Sequence, residues 1–190
     1  MLELAGPLAV AALVLAAGGL FKLRDPGPTR EMFTSIGSFL GRGAAVLAVV
    51  SGMVEVTLGV ATFVVGGRVL AVCTAASFAL FAFVAWLLVR SPDRGSCGCF
   101  GRHSSETTWF HVTIDLAVAA AAATAAAVDA PGFVDARLEL PAAGLPFIGL
   151  AVLGAWFVIA GLTVLPAVSV AARRGRSTPS VKTFQITSGA

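Results

Sequence analysis

Charge is the scarcest property of this sequence. Charged residues make up 12% of it, against roughly 25% in a soluble domain. With 57% of residues hydrophobic and a mean hydropathy of +0.92, that deficit excludes a water-soluble globular chain. No polar stretch between the apolar runs is long enough to hold a soluble domain. Cysteine is scarce too, and three residues cannot build the disulfide framework of a small secreted scaffold. A formal charge of only +3 leaves no basic face once the buried segments are removed, which excludes nucleic-acid binding. The first apolar run lacks a basic region before it and a small-residue cleavage site leading into a soluble domain after it. It therefore reads as a spanning helix rather than a signal peptide.

What remains is apolar and periodically interrupted. Runs at residues 2–20, 43–65, 69–89, 107–128 and 142–172 each reach the length of about 20 residues that a spanning helix needs. The expected fold is all-α, a polytopic membrane bundle of five transmembrane helices. One membrane domain is expected over residues 1–172, and a basic, Ser/Thr-rich, disordered tail over 173–190. In the first connection, Pro26-Gly27-Pro28 is expected to break any helix. A short interfacial helix is expected at 32–40, with Phe33, Ile36 and Leu40 on one face. Gly66-Gly67-Arg68 reads as a tight turn. Pro146 and Pro166 are expected to bend or shorten the fifth span. Abundant Gly and Ala would let helix backbones approach closely in lipid, although genomic composition explains the alanine equally well.

Orientation follows from the Lys and Arg residues near the span ends. The first connection has four, the 90–106 loop three and the tail four, while the other two loops have one each. The rule makes this a multi-pass protein of the plasma or inner membrane, with its N-terminus outside and its C-terminus in the cytoplasm. The 90–106 loop then lies at the cytoplasmic face.

That loop carries Cys97-Gly98-Cys99-Phe100-Gly101, with His103 four residues beyond the second cysteine. A Cys-x-Cys pair can close a small strained ring, and strain suits a disulfide to exchange rather than to structure. Gly98 lowers the steric cost of that ring, and Arg94, Arg102 and His103 favour the thiolate. Copper or zinc binding by Cys97, Cys99 and His103 is the rival chemistry, although a closed zinc site would want a fourth ligand. Cys73 lies about one membrane span away and reads as a small packing residue. Glu55 stands mid-span, where an ionisable group costs about 2.5–3.5 kcal/mol on insertion scales and so faces a bundle interior. Lys22 or Arg24 could pair with it, or it could line a quinone pocket. Asp115, two turns into the fourth span, has Lys22, Arg24 or His111 as candidate partners. Trp86 and Trp109 flank the Cys loop as interfacial anchors.

Taken together these residues resemble the MauE family of methylamine-utilisation membrane proteins, within the wider DoxX-like group. The resemblance rests on Phe21-Lys22-Leu23-Arg24-Asp25-Pro26, on Glu55 and Gly59, on Cys97-Gly98-Cys99-Phe100-Gly101, and on Trp109 and Asp115. It covers residues 1–128 and leaves the fifth span outside. It implies a four-helix core plus one, with Cys97 and Cys99 as a redox pair. Lys22, Glu55 and Asp115 would be supporting polar positions for protons or quinone, and His103, from its place beside the cysteines, is counted with them. It further implies a thiol–disulfide component that works with a thioredoxin-like protein on a maturing extracytoplasmic protein. Disulfide maturation belongs outside the cytoplasm, while the charge rule puts the pair inside. Either the pair passes reductant from the cytoplasmic side, or the loop lies on the other face. A non-catalytic membrane subunit or assembly scaffold is the remaining alternative, and either a homo- or a hetero-oligomer is compatible with the sequence.

Overall fold

A computed structural model of the chain describes residues 4–36, 41, 43–91, 107–135 and 144–176, with side chains at 35, 36 and 165–176 excepted. Among the described residues the helices of ten residues or more are α1 (Ala5–Arg24), α2 (Gly27–Ile36), α3 (Ala44–Val64), α4 (Arg68–Arg90), α5 (Trp109–Ala127) and α6 (Gly144–Arg176). All but α2 are long and apolar enough to cross a membrane, α6 over Gly144–Val164. No strand occurs among the described residues. The five expected spans are therefore present, and the protein is an all-α polytopic bundle.

Two tightly packed pairs make the bundle, α1 with α3 and α4 with α5, and α1 joins them while also carrying α6. The α1–α3 contact is a glycine contact. A Cβ on Gly59 would lie 2.5 Å from the Ala12 carbonyl oxygen, and one on Gly19 would lie 2.5 Å from that of Gly52. Only glycine lets the two backbones meet this closely. The buried residues of α3 (Ala44, Ala48, Gly52, Glu55, Gly59, Thr62) recur every three or four positions, so they form a single seam facing α1. On the other side, Ala71, Ala82 and Ala85 of α4 and Ala119, Ala122 and Ala125 of α5 are buried. Helix α1 buries half of its span, more than any other, and is the central helix.

Thr62 and Thr74 bridge α3 and α4 through a 3.0 Å hydroxyl hydrogen bond in the buried interior. Thr62→Val keeps the shape and removes the bond. The expected loss is about 0.6 kcal/mol, with ~1.7 kcal/mol as the upper end for such bonds in a bilayer. Equilibrium unfolding in mixed micelles measures it, and a Thr62→Ser protein as weakened as Thr62→Val would show that the hydroxyl is not responsible.

At the end of the bundle remote from the 92–106 segment, the α3–α4 turn is clasped to the chain after α5. Gly67 N–H donates to the Ala130 carbonyl at 2.9 Å, and Gly132 N–H to that of Val65 at 3.2 Å. The Asp129 carboxylate accepts from Arg68 N–H at 2.6 Å. It thus caps the positive end of α4 from 61 residues away. Gly66 has φ +68°, and its added Cβ would meet Gly132 N at 2.1 Å, so the expected tight turn there requires glycine twice over.

Two local expectations need correction. The helix break expected at Pro26-Gly27-Pro28 is present, since α1 stops at Arg24, but the motif also begins a helix: α2 starts at Gly27 with Arg30 N–H bonded to the Pro26 carbonyl. Pro28 falls in the first turn, where backbone N–H groups have no intrahelical partner to lose. Helix α2 therefore runs earlier than 32–40, and its Met32 and Phe33 pack against Leu88 and Val84 of α4. Helix α6 is continuous through both prolines. Pro146 lies in its first turn, and at 1.5 Å per residue its 33 residues extend about 50 Å, well beyond a core of about 30 Å.

Candidate functional site

The glycine contact between α1 and α3 creates the site. Lys22 lies one turn after Gly19, and Glu55 one turn after Gly52. The helices are antiparallel, and side chains tilt toward their own helix N-terminus. The two side chains therefore lean toward one another across the seam. Lys22 Nζ donates to Glu55 Oε1 in a salt bridge whose partners are only 5% and 8% exposed. The ammonium also stands 4.7 Å from the centroid of the Phe81 ring on α4, which adds cation–π attraction in a dry setting.

Asp115 of α5 and Leu162 of α6 complete the lining, so all five spans contribute to one small cavity. Its volume is about 20 Å³, room for about one water. Asp115 itself is buried at 8% exposure. One ammonium and two carboxyl groups thus line a single small space inside the bundle. The arrangement can hold a charge pair and a bound water.

His111 links α5 to α6. Its Nδ1 accepts the Thr108 N–H at 3.2 Å, which places the ring proton on Nε2. The ring also hydrogen-bonds the backbone of Leu162, where the carbonyl is the acceptor for that proton. Leu162 is four residues before Pro166, and proline brings no N–H to the helical bond that the 162 carbonyl would otherwise receive. His111 supplies the donor that Pro166 withholds, a neighbouring helix satisfying a backbone group freed inside a membrane. The pattern was readable only as two unrelated residues, a buried histidine and a mid-helix proline.

The remaining sequence candidates are dispersed. Cys97, Cys99 and His103 lie outside the described residues, on the 92–106 segment that joins α4 to α5. Lys22, Glu55 and Asp115 are brought together. Cys73, expected as a packing residue, is exposed on the outer face of α4, so it faces lipid rather than the core. Among the described residues no group of three His, Cys, Asp or Glu could hold a metal ion. Trp86 stacks under Arg90, with 4.3 Å from the guanidinium carbon to its ring, and Trp109 is 54% exposed. Both sit at the membrane end that bears the 92–106 segment. Phe81 and His111 take part in the site in ways that sequence reasoning missed. The spacing of Thr107, His111 and Asp115 at four-residue intervals was the available signal for the second.

A family model described as methylamine utilisation protein MauE matches residues 1–129. The matched stretch takes in the first four spans, the whole Lys22–Glu55–Asp115 constellation and Cys97-Gly98-Cys99-Phe100-Gly101, and it ends before α6. No curated protein and no solved structure matches the chain.

Proposed function

Because the chain belongs to the MauE family, we propose that it is an integral-membrane thiol–disulfide redox component whose working pair is Cys97 and Cys99. The observation that carries the proposal is the Cys97-Gly98-Cys99-Phe100-Gly101 loop inside the matched region. It joins the two spans whose near ends flank the polar interior.

The exchange is a two-electron step. The thiolate of one cysteine attacks a sulfur of the partner's disulfide, and the partner's other sulfur leaves as a thiolate that takes a proton. The second cysteine then attacks the mixed disulfide, forming the Cys97–Cys99 bond and releasing the partner as a dithiol. The reverse sequence oxidises a partner dithiol. The partner is a thioredoxin-like protein or a maturing extracytoplasmic protein, and charge distribution favours the cytoplasmic face for the pair. A quinone is the acceptor class this reading allows.

Trapping with a thiol-reactive mass tag tests this reading. In membranes quenched with acid, the Cys97/Cys99 pair is expected to shift by two tags after mild reduction and by none after oxidation. Cys73 would be replaced by alanine to keep the count clean. Cys97→Ser is expected to accumulate a mixed disulfide with its partner, and Cys99→Ser to abolish or mirror it. A pair that stays fully tagged under every condition would defeat the redox reading and leave a scaffold role.

A further inference from the structure

On the outer side of the bundle, a groove of about 290 Å³ runs between α4 and α5. Ala82 and Val112, 3% and 6% exposed, form its floor. Phe83 and Trp86 of α4 stand along one side with their ring centroids 5.8 Å apart, and Leu116 of α5 stands along the other. Ala79 lies at the deep end. At 1.5 Å per residue it is about 16 Å from Arg90, the last residue of α4. The groove therefore covers about half of a hydrocarbon core of about 30 Å, which is the depth of one leaflet. A spanning helix of another chain would need a seat twice as long. Over the aromatic side stands a cation, with the Arg90 guanidinium carbon 4.3 Å from the centroid of the Trp86 ring. The ring face offers no lone pair, so the planar fork of N–H donors is left for another partner. Arg90 is exposed, and among the described residues no carboxylate pairs with it.

We infer that the α4–α5 groove is a binding site for one anionic phospholipid, with its phosphate on the Arg90 guanidinium and one acyl chain along Phe83, Trp86 and Leu116. Charge complementarity selects the occupant. A guanidinium takes a phosphate through two parallel hydrogen bonds, which a compact ammonium cannot do. Arg90 and Trp86 stand at the end of α4, at headgroup depth, where a basic residue attracts anionic lipid. Below them the lining is wholly apolar, as a hydrocarbon chain requires, and it ends near the mid-plane, where such a chain ends. The seat lies between the two spans that the Cys segment joins. The inference goes beyond the thiol chemistry and does not rest on it.

Native mass spectrometry of the full chain tests it, with protein delipidated in detergent and titrated with phosphatidylglycerol or with phosphatidylcholine. One phosphatidylglycerol is expected to bind ahead of any phosphatidylcholine. Arg90→Gln is expected to weaken that first site about fivefold, the attraction of one basic residue for anionic lipid. Arg24→Gln removes the same charge from the same membrane face, at the end of α1, and is expected to leave the site near its wild-type affinity. Ala79→Trp fills the deep end from an exposed position and is expected to weaken the site with Arg90 intact. No preference for phosphatidylglycerol, an equal loss in Arg24→Gln, or unchanged binding in Ala79→Trp would each overturn the inference. So would competition by glycerol phosphate at lipid concentrations, which would make the ligand a free phosphate and the groove irrelevant. A dimer abolished by Ala79→Trp would place a second copy in the groove and overturn it as well. The thiol-trapping result is independent of all of these.

Discussion

Lys22→Met is expected to destabilise the bundle by about 3 kcal/mol, the lower end of the range for breaking a buried ion pair from one side. The salt bridge to Glu55 is almost wholly buried, so the orphaned carboxyl has room for about one water beside it and no bulk solvent. It neutralises by taking up a proton, which keeps the cost from rising further. The Phe81 ring also loses its cation. The expected sign reverses for the second change. Lys22→Met combined with Glu55→Gln removes both charges, and buried pairs replaced as a pair are often neutral in stability. More than half of the loss should therefore return. Unfolding in mixed micelles, followed by intrinsic tryptophan fluorescence, measures all three proteins. A double variant no more stable than Lys22→Met would mean that the lysine acts through packing of its stem and not through its charge.

The second large effect is expected at His111, and it depends on a residue in another helix. His111→Leu leaves the Leu162 carbonyl without the ring donor and the Thr108 N–H without its acceptor. A buried polar group left unsatisfied costs about 1–3 kcal/mol. In a Pro166→Ala background the backbone N–H of residue 166 can reach the Leu162 carbonyl in the ordinary helical way. The same His111→Leu change should then cost less, by about the value of one such bond. The coupling energy of the double-mutant cycle reads this directly. Strict additivity would show that the ring and the proline are unconnected. The cycle is also informative about α6, which lies outside the family match and whose interior hydrogen bond depends on α5.

Much of the architecture was legible before any coordinates. Length and hydropathy sufficed for five spans, because a bilayer demands about 20 apolar residues and nothing in a soluble core does. Glu55 stood out for the same reason: a charge in a greasy run must face inward and find a partner. The Cys97-Gly98-Cys99 loop and the MauE resemblance were readable as a local string, which needs no fold. The start of α2 was misjudged because proline was weighed by type rather than by its place in the first turn. Cys73 was misjudged because a cysteine gives no sign, in one sequence, of which side of its helix meets lipid.

Which of Lys22 and Arg24 reaches Glu55 was beyond the sequence, since both lie in the last turn of α1 and differ only in azimuth. That choice belongs to the Gly19–Gly52 contact, which sets how α1 is rotated against α3. The meeting of Asp115, Phe81 and Leu162 around the pair, and the loan of a histidine proton to a proline-freed carbonyl, likewise depend on helix rotation and depth. The sequence by itself determined how many helices cross, which polar residues they must hide and which loop carries the sulfurs. Those follow from transfer free energies residue by residue. Tertiary structure alone decided who faces whom, because in lipid all apolar faces are equivalent and only backbone contact at glycine, side-chain shape and hydrogen-bond need select among them.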